Sequence, residues 1–347
     1  MKAARLHDYN ENLRVEEVQE PKVTDPHDVI VKIGAAGLCR TDLHIKDGDW
    51  KEVQDGAELR LPYILGHENA GWVQEIGSAV SNVEVGDTVI LHPLITCGLC
   101  HACRAGNDMH CGKGAFPGLV VDGGFADLMK TTARATIKLG PSLAPKDVAA
   151  HADAGLTAYH AVKKAVQSLY PGTKAVVIGA GGLGHIGIQA LRALTPTEII
   201  VVDKSEPALE LARKLGADQT VLADGHQVQR VLQMTDGAGA EAVIDFVGEK
   251  GAEKEAVQMT RNAGSLYVVG YGGALDVKTH EVIFREINVI GNLVGTYNDL
   301  VELMTLANQG AVTLHTSTYP LDSINDAMAD LEGGRLQGRG VLIPEGA

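Results

Sequence analysis

Aromatic residues make up only 4% of this 347-residue chain, so its core must be aliphatic. Cysteine is scarce as well: there are five, and four of them fall within residues 97–111. A secreted scaffold stapled by disulfides would carry far more per residue. No apolar run approaches the ~20 residues of a membrane span. The opening Met1-Lys2-Ala3-Ala4-Arg5-Leu6-His7-Asp8 lacks the apolar stretch of a secretory signal. These absences make the cytoplasm the expected location and argue against a membrane partner. Positive charge is also in deficit, with 30 Lys+Arg against 44 Asp+Glu and a formal net charge of −14. That balance argues against a nucleic-acid partner, which needs a basic footprint.

What the chain has in quantity is glycine, 41 residues, and a hydrophobic content of 45% that excludes disorder. At roughly 150 residues per domain its length predicts two domains. The first part, to about residue 150, reads as short strands broken by glycine and proline. Examples are 29–33, 71–76 and the turn and strand at 86–91. The texture then changes. Apolar runs at 174–178, 199–202, 220–222, 242–247, 265–269 and 289–294 alternate with helical periodicity at 185–194, 207–215, 227–234 and 252–261. Such alternation predicts an α/β fold with a doubly wound parallel sheet. After Asn298 a helix, a short strand and a final helix are expected before the closing run 340–344.

Gly179-Ala180-Gly181-Gly182-Leu183-Gly184 matches G-x-G-x-x-G between a predicted strand and a predicted helix. Gly179 permits a tight turn, Gly181 lets a pyrophosphate approach the backbone, and Gly184 lets the helix lie against the strand. The helix start then offers free N–H groups and a positive dipole. Asp203 follows the second strand, where its carboxylate accepts bonds from ribose hydroxyls and repels a 2′-phosphate. NAD is therefore the expected cofactor rather than NADP.

Cys97-x-x-Cys100-x-x-Cys103-x₇-Cys111 places four thiols in one loop, the donor set of a closed structural zinc site. An iron–sulfur cluster also takes four thiolates, but this spacing is neither of the common ferredoxin spacings. His101 and His110, inside the loop, read as solvated residues. Cys39 and His67 lie apart from this loop. A thiolate and an imidazole are zinc ligands, and a third donor would leave one position open for chemistry.

Gly66-His67-Glu68-x-x-Gly71-x₅-Gly77-x-x-Val80 resembles the signature of zinc-containing alcohol dehydrogenases of the medium-chain dehydrogenase/reductase family. The order Cys39, Thr41, Asp42, His44 looks like that family too, as do the cysteine loop, the glycine turn and Asp203. The resemblance implies a β-rich GroES-like catalytic domain over 1–150, completed by 291–347, and a Rossmann NAD-binding domain over 151–290. It implies two zinc ions per subunit. Cys39, His67 and Asp153 would hold the catalytic one, with His151 as a competing third ligand and Glu68 as a supporting or alternate ligand. Cys97, Cys100, Cys103 and Cys111 would hold the structural one. Asp42 would accept the other ring N–H of His67.

The activity so implied is hydride transfer between NAD(H) and an alcohol, aldehyde or ketone. Zinc lowers the pKa of a coordinated hydroxyl, which makes the alkoxide accessible near neutral pH. Thr41 would receive the proton and His44 deliver it to water. By the same resemblance Arg40 and Arg339 bind pyrophosphate, and Thr157 lies near the nicotinamide. Val269, Gly270, Leu293 and Val294 hold its carboxamide. Trp50, Pro93, Leu94, Phe116, Leu119 and Val294 are candidates for an apolar substrate pocket. Relatives acting on polyols, sugars or threonine share these motifs, and a nucleotide-binding protein without catalysis is the alternative from another class. A homo-oligomer is expected, a tetramer first and a dimer second.

Overall fold

The structure, a computed structural model, describes residues 1–49 and 61–346. Trp50 lies outside the described residues. The chain forms two units: Met1–Ala154 with Thr296–Gln309 and Thr313–Ala347, and Gly155–Gly295 with Gly310–Val312.

The first unit is rich in short strands. They are β1 (Lys2–Leu6), β2 (Arg14–Glu17), β3 (Asp28–Leu38), β4 (Tyr63–Ile64), β5 (Glu68–Ile76), β6 (Thr88–Leu91), β7 (Leu128–Thr132) and β8 (Thr136–Lys138). The long strand β3 organises the unit. It pairs antiparallel with β5 along most of its length and with β7 over residues 28–32. Its sequence alternates little because ten of its eleven residues are buried. Register shifts between Ile30 and Val31 and between Ile33 and Ala35 bend it. The core packed on this sheet is aliphatic, as the shortage of aromatics requires; Phe125 is its one fully buried phenyl ring.

The second unit contains β9 (Lys174–Ile178), β10 (Glu198–Asp203), β11 (Gln219–Leu222), β12 (Ala240–Asp245), β13 (Thr260–Val268) and β14 (Asn288–Gly291). Their spatial order is β11-β10-β9-β12-β13-β14, and every pairing is parallel. This is the doubly wound order of a dinucleotide-binding sheet, with its switch point between β9 and β12. Central β9 is unbroken Ala-Val-Val-Ile because both faces are covered; residues 175–178 are at most 5% exposed. Each such buried Val or Ile contributes about 1.5–3 kcal/mol.

Several strand and helix ends differ from the sequence reading; the strand read as 29–33, for one, runs from Asp28 to Leu38. The strand expected to reach residue 247 stops at Asp245, whose Oδ1 accepts the N–H groups of Val247 and Gly248 and turns the chain. The helix expected to reach Arg261 ends at Met259, and β13 starts at Thr260. The strand expected to reach residue 294 stops at Gly291. Asn292 donates its side-chain amide to the carbonyls of Ile290 and Val268, and Val294 sits at φ 47°. At Thr296 the chain returns to the first unit, to which the helix Tyr297–Asn308 belongs. There β15 (Thr316–Pro320) and β16 (Arg339–Ile343) extend the sheet, with β16 antiparallel to the end of β3.

Candidate active site and metal centres

Among the described residues, two groups of four donors lie with their ligand atoms within 4.8 Å of one another: Cys97, Cys100, Cys103, Cys111, and Cys39, His67, Glu68, Asp153. In the first, Sγ of Cys103 lies 3.5 Å from that of Cys100 and 4.0 Å from that of Cys97. Four thiolates at ordinary zinc–sulfur distances stand about 3.8 Å apart at the corners of a tetrahedron. The loop thus fits a zinc ion. Backbone N–H groups of Cys97 and Cys100 point at Sγ of Cys111 and Cys97, each at 3.4 Å. Backbone donors from Leu99 and Cys100 bring the Cys97 thiol down to about 6, while burial pushes Cys103 up to about 12. Sulfurs this close cannot all ionise without a cation among them. The loop is closed at its base by the Ile95–Ala115 bridge. Arg134 ties it down through Thr96 and the buried Asp108, at 2.9 and 2.6 Å. His101 and His110 are exposed, as expected.

The second group is built where β3 ends. Cys39 caps the helix Arg40–Asp47, and its backbone N–H donates to Asp42 Oδ2 at 2.8 Å. An acid at the third helical position suits the positive end of the helix dipole. It also delivers the other oxygen of Asp42 to His67, 3.4 Å from Nδ1. The opposite ring atom, Nε2, lies 3.4 Å from Asp153 Oδ2. Nitrogen and oxygen ligands of one tetrahedral zinc stand about 3.4 Å apart, so this donor set also fits. Burial pulls the His67 pKa down, but Asp42 and Asp153 outweigh it and raise it well above the ordinary imidazole value.

Thr41 Oγ1 lies 3.6 Å from Cys39 Sγ. His44, one helical turn on and on the same face, pairs through Nδ1 with Asp49 at 3.0 Å. Its side chain is 37% exposed. Phe116 packs edge-on against the His67 ring at 5.6 Å between centroids. Leu119, by contrast, is buried in the core.

In the second unit, Gly179 turns at φ 88°, a conformation that favours glycine. A Cβ on Gly184 would meet the Gly179 carbonyl oxygen at 1.8 Å, whereas a Cβ on Gly181 would meet nothing within 4 Å. One glycine is needed for packing, and the other borders open space where a phosphate can approach. Gly182 and Leu183 complete the turn before the helix Gly184–Leu194. Asp203 closes β10 and accepts the Ala180 N–H at 2.7 Å, which pins its carboxylate over the turn.

The alcohol dehydrogenase GroES-like domain family matches residues 25–141, and the zinc-binding dehydrogenase family matches 182–309. An alcohol dehydrogenase of Geobacillus stearothermophilus is 35% identical, over 99% of this chain and 98% of its own. An NAD-dependent alcohol dehydrogenase of Sulfolobus acidocaldarius is 36% identical, over 99% of each chain. The chain belongs to the zinc-type medium-chain alcohol dehydrogenases. The crystal structure of an alcohol dehydrogenase from Aeropyrum pernix superposes on this family member with a TM-score of 0.95. The two are 47% identical, over 99% of this chain and 100% of that one. The GroES-like and Rossmann-type folds expected from the sequence are thereby established.

Within this dehydrogenase, the structure brings Asp153 to the metal group and leaves His151 out of it. His151 is wholly buried in the short helix Ala149–Ala152. Arg40 is exposed at the first position of its helix. Thr157, Val269, Gly270, Leu293 and Val294 all belong to the second unit. Arg339, expected at pyrophosphate, is only 4% exposed and engages Glu68 through Nε at 2.9 Å and through Nη2. Burial disfavours its charge, but Cys39 and Glu68 outweigh burial and raise its pKa further. This ion pair was not read from the sequence, because 271 residues separate its partners.

Proposed function

We propose that the protein is an NAD-dependent alcohol dehydrogenase with one catalytic and one structural zinc per subunit. The observation that carries this reading is the convergence of Cys39, His67 and Asp153 on one buried point, with Thr41 beside the thiol. The glycine turn with Asp203 supports NAD, and the names of the matching relatives support an alcohol as substrate.

Cys39, His67 and Asp153 would hold the catalytic ion, and three protein ligands leave a fourth position for substrate oxygen. When bound, zinc supplies the Lewis acidity that acidifies a hydroxyl or polarises a carbonyl, and NAD supplies the hydride acceptor. Asp42 holds the His67 ring so that Nε2 faces the site. Thr41 accepts the substrate proton at its hydroxyl, a group that can both donate and accept. His44 passes that proton to water at the exposed end of the helix. Phe116 supplies an apolar wall, which suits medium-sized alcohols and their carbonyl products better than sugars. Asp203 receives the adenosine ribose, and Gly179, Gly181 and Gly184 shape the phosphate turn.

A homo-oligomer is the expected state, a tetramer first and a dimer second, with the cytoplasm as the expected location. The test is NADH absorbance with a panel of alcohols, polyols, sugars and threonine, using NAD and NADP, before and after metal removal. Metal-dependent reduction of NAD by simple alcohols supports the reading. Turnover that survives complete metal removal refutes it.

A further inference from the structure

Glu68 is a competitor for the metal. Its carboxylate belongs to the same converging group as Cys39, His67 and Asp153. A fourth protein ligand would close the position that substrate must enter. Glu68 is instead drawn aside. Its Oε2 accepts Arg339 Nε–H at 2.9 Å, and its Oε1 accepts Arg339 Nη2 and the Ala154 N–H, the latter at 2.8 Å.

That parking place exists because residue 37 has no side chain. Gly37 faces Glu68 directly across the β3–β5 ladder. A Cβ at Gly37 would lie 2.0 Å from Glu68 Oε2, 2.8 Å from its Cβ and 3.0 Å from its Cδ. Those three nearest atoms all belong to Glu68. The Gly37 backbone is not left-handed, so strain there does not explain the glycine. Glu68 is completely buried. A carboxylate expelled from this space finds the metal's open position beside it.

We propose that Gly37 is a positioning residue for the dehydrogenase reaction. Its missing side chain parks Glu68 against Arg339 and Ala154 and so keeps the fourth coordination position open to substrate. The proposal rests on Cys39, His67 and Asp153 being the metal ligands.

The test uses protein carrying cobalt(II) at that site and zinc in the four-cysteine loop, with imidazole as the probe ligand. In the parent, imidazole enters the open position and shifts the visible cobalt spectrum. Gly37→Ala is expected to lose that response and at least about tenfold in kcat, equivalent to roughly 1.4 kcal/mol of barrier. The double variant Gly37→Ala with Glu68→Ala should regain the response, which a merely structural role for Gly37 would not produce. Equal responses from the parent and Gly37→Ala overturn the proposal, as does a double variant that stays silent. If Gly37→Ala does not fold, the double variant Gly37→Ala with Glu68→Ala decides: folding with the imidazole response supports the proposal that the space at Gly37 serves Glu68, and failure to fold overturns it. A parent that takes up no cobalt at this site overturns the ligand assignment itself, a result distinct from equal responses.

Discussion

The two glycines of the nucleotide turn make opposite predictions. An alanine Cβ at Gly184 would sit 1.8 Å from the Gly179 carbonyl oxygen and 2.7 Å from its carbon. Both are backbone atoms, so no side chain can swing aside. The helix Gly184–Leu194 would have to retreat by about 1.6 Å to restore ordinary contact. Overpacking of this kind costs roughly 1–3 kcal/mol, and the better helix propensity of alanine returns at most about 1 kcal/mol. Gly184→Ala should therefore destabilise the cofactor-free protein. Gly181→Ala meets nothing within 4 Å and needs no left-handed backbone, so its cofactor-free stability should stay within about 0.5 kcal/mol of the parent. On the proposed cofactor role, its methyl group would enter the space left for pyrophosphate. NAD affinity should fall at least about tenfold, or roughly 1.4 kcal/mol. Denaturant unfolding of the cofactor-free proteins and NAD titration calorimetry separate the two effects. A Gly181→Ala variant that binds NAD like the parent would refute the phosphate role. A Gly184→Ala variant with the parent's unfolding midpoint would refute the packing argument.

Three further outcomes are expected. Cys100→Ser should lose one zinc equivalent by metal analysis and unfold at a lower temperature; full metal content at parental stability would sink the closed four-thiolate site. Thr41→Ala should reduce kcat by about 10²–10⁴-fold, the usual worth of a positioned proton acceptor, while zinc content and NAD affinity persist. Activity near the parent's would defeat the relay. Asp28 provides a pH test in the first unit. Burial alone would raise its pKa, but the donors of Thr24 and Asp25 outweigh burial and hold it below the ordinary 3.8. Its stabilisation is present above that value and is lost as pH falls through the lowered one. Asp28→Asn should therefore be less stable than the parent near neutrality, and the gap should narrow in acid. A gap that widens on acidification would contradict this sign.

What was legible in the sequence is what is local in the chain. The glycine turn, the four-cysteine loop and the Cys39–His44 segment each fit within one turn, loop or short helix, so spacing fixes their geometry. The parallel sheet was legible because strands buried on both faces, such as Lys174–Ile178, show as unbroken apolar runs. Short edge elements gave no such signal: β2 and β4 have four and two residues and carry no period to read. Strand ends were misplaced where side chains turned the chain, as Asp245 and Asn292 do. The pairing of Glu68 with Arg339 and the contact of Phe116 with His67 depend on how distant segments meet, which spacing does not encode.

The charges around Cys39 explain why these long-range partners are present. Asp42, Glu68 and Asp153 converge with a thiol in a region where Asp42 and Glu68 are 0% exposed. Three carboxylates in a low-dielectric interior are costly unless compensated, and a single guanidinium cannot balance them. Arg339 serves Glu68 directly through its two-point contact. That leaves Asp42 and Asp153, which face the two nitrogens of His67. These two carboxylates raise the imidazole pKa against the effect of burial. A zinc ion held by Cys39, His67 and Asp153 would supply positive charge at the same place, and Asp42 would hold the remaining ring N–H. The arrangement reads as a site whose charge balance is completed by a divalent cation, with Arg339 removing the one carboxylate that would otherwise occupy the open position.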